Sequence, residues 1–150
     1  MNSSIPTVKR ILIVDDEPYN ILGMQITLFN LGIKGLCTIV DRAYNGLEAF
    51  KKVQDSFQSG SHIYGLILTD ISMPVMDGFE EADEIRNFYR INKVAQPMIV
   101  ACTGHVEEDY IKQAWVHEID EVIPKPVNAE ILKEIFKVML LGFDNIPEEN

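Results

Sequence analysis

Four short apolar runs in this chain each end on polar residues able to do chemistry. Asp15 and Asp16 follow Ile11-Leu12-Ile13-Val14, and Asp70 follows Leu66-Ile67-Leu68-Thr69. Thr103 follows Met98-Ile99-Val100-Ala101-Cys102, and Lys125 follows Val122-Ile123-Pro124. Short runs rich in β-branched residues read as buried parallel strands. Open α/β sheets bind their ligands outside the carboxyl ends of the strands, so the four ends are expected to converge on one pocket. That pocket would hold three carboxylates, one hydroxyl and one ammonium, a set suited to a divalent cation and a phosphoryl group.

Adjacent carboxylates repel, and burial raises the cost of ionising them. A cation held by Asp15 and Asp16 relieves that conflict. Mg²⁺ (or Mn²⁺) suits oxygen donors; Mg²⁺ takes one or two carboxylates, with waters and a phosphate oxygen completing an octahedron. Asp70 can act either as a third ligand or as a nucleophile that accepts a phosphoryl group as an acyl phosphate. The transition state spreads charge over the equatorial oxygens, so catalysis is positioning and electrostatics. Lys125 would neutralise part of that charge, and the Thr103 hydroxyl would donate to a phosphoryl oxygen. Each residue alone has a plainer use: an Asp pair before a helix caps it, and a polar residue at a strand end makes a turn. Their coincidence at four strand ends favours the pocket.

The elements that must position these residues alternate along the chain. Strands are expected at Arg10–Val14, Leu36–Val40, Ile63–Thr69, Pro97–Cys102 and Glu121–Ile123. The first helix runs from Pro18, a residue suited to a first turn, to about Leu31. Its apolar residues cover a wide arc (Ile21, Leu22, Met24, Ile26, Leu28, Phe29), which predicts deep burial. The second carries the stripe Leu47, Phe50, Val53, Phe57 and the third Phe79, Ala82, Ile85, Tyr89. The fourth carries Val106, Tyr110, Ala114 and Trp115, with Tyr110 and Trp115 read as packing residues. The last turns Ile131, Leu132, Ile135, Val138 and Met139 inward. Five βα units in this order predict a parallel sheet with helices on both faces and right-handed crossovers. Residues 1–8 read as a flexible lead-in, 9–142 as one domain and 143–150 as a polar tail.

Composition narrows the function class. Hydrophobic residues make up 47% and charged residues 24% of 150 positions, as in soluble globular proteins. A net charge of -10 argues against nucleic-acid binding by this domain, which needs clustered Lys and Arg. No stretch is long enough to span a membrane and no signal peptide is visible, so the expected location is cytoplasmic. Cys37 and Cys102, both in apolar segments, read as buried thiols rather than a disulfide or redox pair. His62 and His117 show no metal-ligand spacing, and His105 reads as solvated near a helix start.

Five motifs together resemble the receiver (response-regulator) domain of two-component phosphorelays over about Lys9 to Gly142. They are Val14-Asp15-Asp16-Glu17, Ala43-Tyr44-Asn45-Gly46-Leu47-Glu48-Ala49, Thr69-Asp70-Ile71-Ser72-Met73-Pro74-Val75-Met76-Asp77-Gly78, Ala101-Cys102-Thr103-Gly104 and Lys125-Pro126. The third is long and the most specific. The resemblance implies an α/β, flavodoxin-like, doubly wound sheet of five parallel strands in order 2-1-3-4-5 with five helices. It also implies Asp70 as the phosphoacceptor, Asp15, Asp16 and Asp70 as metal ligands, and the Ser72 backbone carbonyl as a further ligand. Thr103 would be the switch hydroxyl, Lys125 the phosphoryl contact, and the Lys125–Pro126 bond cis. The implied partner is a phosphohistidine donor, either a histidine kinase or a histidine phosphotransfer domain.

One position departs from the family. Three residues before the lysine, receivers commonly carry Tyr or Phe that turns inward on activation; here it is Val122. The expected function is a signalling switch that is phosphorylated but does not turn over. The competing reading is a Mg²⁺-dependent phosphatase of the haloacid-dehalogenase type. Those enzymes carry Asp-x-Asp after the first strand, whereas this chain has Asp15-Asp16-Glu17-Pro18 and its extended motif after the third. A stand-alone receiver and a receiver of a hybrid histidine kinase both fit, with Val14–Asn20 pointing to the second.

Overall fold

The computed structural model describes residues 5–139. β1 (Lys9–Val14), β2 (Val40–Ala43), β3 (Ile63–Thr69), β4 (Met98–Thr103) and β5 (Glu121–Pro124) form one parallel sheet in order β2-β1-β3-β4-β5. Between and after them lie α1 (Pro18–Asn30), α2 (Gly46–Gln58), α3 (Gly78–Ile91), α4 (Glu108–Val116) and α5 (Ala129–Met139). Thus the predicted class and strand order hold. The expected end of the domain at residue 142 and the tail 143–150 lie outside the described residues.

Period-two alternation divides each buried strand between two cores. Leu12, Val14 and Ile67 face α2, α3 and α4, where Ala49, Val53, Phe79, Ile85, Tyr89 and Ala114 meet them. Ile11, Ile13, Leu66 and Leu68 face α1 and α5, packing on Ile21, Leu28, Leu132 and Phe136. Each fully buried Leu or Ile contributes about 1.5–3 kcal/mol, so the sheet centre is the most stable part. Three helices start on side-chain caps: Asn45 accepts the Glu48 N–H at 2.8 Å, Asp77 the Glu80 N–H at 2.9 Å and Asn128 the Glu130 N–H at 2.7 Å. Each such cap stabilises by about 1 kcal/mol.

Several expectations need correction. The second strand is not Leu36–Val40: Leu36–Ile39 form a 3₁₀ turn and the strand runs Val40–Ala43. The apolar Leu36 and Ile39 are buried from that turn, so apolarity there reflects burial and not extension. Cys37 is exposed on the same turn, whereas Cys102 is buried as expected. α1 is not deeply buried all round, because Leu22, Ile26 and Phe29 face solvent. α2 buries Gly46, Ala49, Val53 and Ser56, leaving Leu47, Phe50 and Phe57 half-buried at the edge. Trp115, Val106 and Val138 are exposed, while Phe136, absent from the expected stripe, is buried. The Met139 side chain lies outside the described ones.

At the amino end of the sheet, buried Arg86 of α3 donates to the Glu118 and Pro97 carbonyls and to the Asp120 carboxylate. Asp120 also accepts the Ile99 N–H, so one guanidinium joins α3, β4 and the α4–β5 turn. Among the described residues no helix is long and apolar enough to cross a membrane.

Candidate phosphoryl and metal site

The carboxyl ends of β1, β3 and β5 bring Asp15, Asp16, Asp70 and Lys125 together. One carboxylate oxygen from each aspartate lies within 4.8 Å of the others, the one such acidic cluster among the described residues. Lys125 Nζ is 2.8 Å from Asp15 Oδ2 and 3.1 Å from Asp70 Oδ2. Burial pulls the Lys125 ammonium toward neutrality, but its bond to Asp15 and the charges of Asp70 and Asp15 outweigh this and raise its pKa. The ammonium is therefore a fixed positive charge between two carboxylates.

Local backbone geometry aims these groups. The Asp15 Oδ1 accepts the Glu17 N–H at 2.9 Å and the Asn20 amide at 3.3 Å. Capping does not account for the pair, because the residue at the N-cap of α1 is Glu17, which makes no side-chain cap bond. Asp70 Oδ1 accepts the Ile71 N–H at 2.8 Å, leaving Oδ2 toward Lys125. The β3–α3 loop returns tightly: the Gly78 N–H donates to the Ile71 carbonyl at 2.8 Å. A side chain on Gly78 would run into the Asp70 carbonyl. Gly46 is equally confined, since its N–H meets the Met76 carbonyl and a Cβ would lie 2.6 Å from that oxygen.

Thr103 ends β4, buried, with its hydroxyl accepting the His105 N–H at 3.1 Å. It is thus placed at the neighbouring strand end but is bonded into the β4–α4 loop, not to Asp70 or Lys125. Ser72 lies exposed in the turn after Asp70. The Lys125–Pro126 bond is cis, in agreement with the sequence expectation. A cavity of about 440 Å³ opens beside the cluster, lined by Asp15, Asn20, Met24, Asp70, Lys125 and Pro126 among others. Burial pushes the Cys102 thiol on its wall up to about 12, so it is no nucleophile at neutral pH.

Sequence reading missed one polar residue close behind the site. Glu81 of α3 is 1% exposed and its Oε2 lies 2.7 Å from the Thr69 hydroxyl. Its position on the buried arc of α3, between Gly78 and Ala82, was the available signal.

Residues 11–137 match the response regulator receiver domain family. The chain belongs to that family. Hybrid signal transduction histidine kinase L of Dictyostelium discoideum is 33% identical over 129 residues, covering 85% of this chain and 7% of the relative. Two-component system protein A of Emericella nidulans is 33% identical over 136 residues, covering 88% and 17%. The chain therefore spans less than a fifth of the length of these relatives. Among solved structures, a two-component response regulator from Clostridium difficile is 30% identical with a TM-score of 0.70, covering 91% of this chain and 99% of that one. A chain of the Saccharomyces cerevisiae co-crystal of the histidine phosphotransfer protein Ypd1 with the Ssk1 receiver domain is 25% identical, with a TM-score of 0.72. That match covers 96% of this chain and 94% of the other.

Proposed function

We propose that the chain is a phosphoacceptor that takes a phosphoryl group from a phosphohistidine onto Asp70 and signals by a conformational change. The observation that carries this reading is the Lys125 ammonium held between Asp15 and Asp70, with Asp16 in the same cluster. Asp70 Oδ2, the oxygen facing Lys125, attacks phosphorus as the P–N bond to the donor imidazole breaks. The electron pair of that bond returns to the ring nitrogen, and an acyl phosphate forms on Asp70. Lys125 stabilises the phosphoryl charge, and Thr103 is the hydroxyl that turns to it.

The acidic cluster fits a divalent cation. Three carboxylate oxygens lie close enough to share one ion, and Asp16 and Asp70 are only partly buried, leaving room for water ligands. Asp15, Asp16, Asp70 and the Ser72 carbonyl would hold Mg²⁺ or Mn²⁺, which supplies charge neutralisation of the phosphoryl oxygens. The donor is a histidine kinase or histidine phosphotransfer domain, a class supported by the hybrid histidine kinase among the relatives and by the co-crystal of a receiver domain with a histidine phosphotransfer protein. α1 presents Tyr19, Leu22, Ile26 and Phe29 outward as one apolar row leading away from the Asp15 end, and helix packing against such a row suits a helical donor. The domain, residues 9–142 in this reading, needs no nucleic acid and no membrane for this step.

Incubation with acetyl phosphate and Mg²⁺ is expected to add one phosphate by intact mass. The Asp70→Asn variant and an EDTA-treated sample should both stay unlabelled; labelling of either rejects the assignment. Sustained turnover of a generic phosphomonoester would favour a phosphatase instead.

A further inference from the structure

We propose that Glu81 is a positioning residue for the phosphoacceptor: its neutral carboxyl group donates to the Thr69 hydroxyl, which in turn holds the Asp70 backbone carbonyl. This rests on the reading of Asp70 given above. Thr69 Oγ1 lies 2.8 Å from the Asp70 carbonyl oxygen and 2.7 Å from Glu81 Oε2. A hydroxyl carries one proton and both neighbours are oxygens. When the Thr69 proton goes to the Asp70 carbonyl, the short contact to Glu81 requires a proton on the carboxyl group.

Burial argues the same way. Glu81 is 1% exposed, and its second oxygen, Oε1, has no hydrogen-bond partner. An ionised carboxylate with a bare buried oxygen is far more costly than a neutral acid. Burial, with the nearby charge of Asp77 in support and the Thr69 bond opposing, pushes the Glu81 carboxyl up to about 8.

Among the described residues Asp77 is the charge that acts on Glu81, and no cation opposes it. α2 and α4 contribute Ala49, Val53 and Ala114 to this core layer, and β4 contributes Ile99 and Ala101. Tyr110 and His117 pack instead on Phe79. On the β3 side Asp70 lies just beyond the Thr69 hydroxyl, and Lys125 is bound to Asp15 and Asp70.

Loss of the Glu81 proton has two effects of the same sign. The Thr69 hydroxyl turns to the new carboxylate and releases the Asp70 carbonyl. A negative charge also arises behind a carboxylate that must accept a phosphoryl group. Both slow phosphorylation as pH rises through about 8.

The test measures the rate of acetyl phosphate labelling of the whole chain with Mg²⁺ between about pH 6 and 9, for wild type and Glu81→Gln. The amide keeps a donor for Thr69 and cannot ionise. The ratio of wild-type to variant rate is expected to fall about tenfold between pH 7 and 9, following the protonated fraction of a group that titrates near 8. Parallel profiles overturn the proposal. Thr69→Val, which removes the hydroxyl, gives an independent arm: its alkaline fall should no longer lie near pH 8, and one that stays there also overturns it. Asp70→Asn separates the two readings. If it labels like wild type, the phosphoacceptor assignment fails and this proposal with it; if Asp70→Asn stays unlabelled while the Glu81→Gln and wild-type profiles are parallel, the role of Glu81 alone fails.

Discussion

Lys125 Nζ lies 3.1 Å from Asp70 Oδ2, so the proposed nucleophile rests against the cation that would later face its phosphoryl group. The same ammonium holds Asp15 at 2.8 Å, which places one charge where it balances two carboxylates before transfer and phosphoryl oxygens during it. Replacing Lys125 by Met keeps the length of the side chain and removes the charge. Acetyl phosphate labelling of Asp70 is expected to fall about 100-fold, the scale of losing one preorganised transition-state contact. Intact-mass kinetics check this; an unchanged rate would show that Lys125 serves only the resting ion pair.

Output should travel through the β4–α4 loop and leave the Val122 rotamer unchanged. The Thr103 oxygen is tied to the loop by the His105 N–H that it accepts, so a turn of Thr103 toward a phosphoryl group should carry the exposed 104–107 backbone with it. Val122 is packed against the core, and its β-branch restricts χ1. NMR with and without beryllofluoride, a phosphoryl mimic, should show large shifts at Gly104 to Glu107 and an unchanged Val122 χ1. A Val122 flip with the loop unmoved would sink the idea.

Val75 stores strain in the loop after the phosphoacceptor. Its φ is 73°, in the left-handed region, and its side chain is 74% exposed. A β-branched residue gains nothing there from burial and is costly in that conformation. Val75→Asn is therefore expected to stabilise the fold by about 1 kcal/mol. Urea unfolding would show a raised midpoint at unchanged slope; a lowered midpoint would place the strain elsewhere.

Glu81 also ties folding stability to pH. Its carboxyl sits near 8 in the fold against the ordinary glutamate value of 4.5, so between those values the native state keeps a proton that the unfolded chain has released. Stability from this group is complete below the lower value and is lost as pH rises toward the upper one. The slope is at most about 1.4 kcal/mol per pH unit. Urea denaturation of Glu81→Gln should show a flatter decline from about pH 5 to 8 than wild type. Identical pH dependence would mean that Glu81 is ionised in the fold.

The sequence by itself determined the parallel sheet, its strand order through family resemblance, and the residues of the acidic cluster. These were legible because the signals are local: buried strands read as short apolar runs, and a polar residue directly after one marks the carboxyl edge where ligands sit. Only the tertiary structure decided how much of each helix is covered. The apolar arc of α1 exceeds what the sheet and α5 can bury, so Leu22, Ile26 and Phe29 remain outside. Leu36 and Ile39 are buried from a 3₁₀ turn, a conformation that apolarity alone does not distinguish from a strand. Glu81 and Arg86 look like solvent-facing charges in sequence, yet both are buried because the partners that accept them lie on other elements. Helical periodicity states which residues share a face, whereas burial depends on what the rest of the chain lays against it.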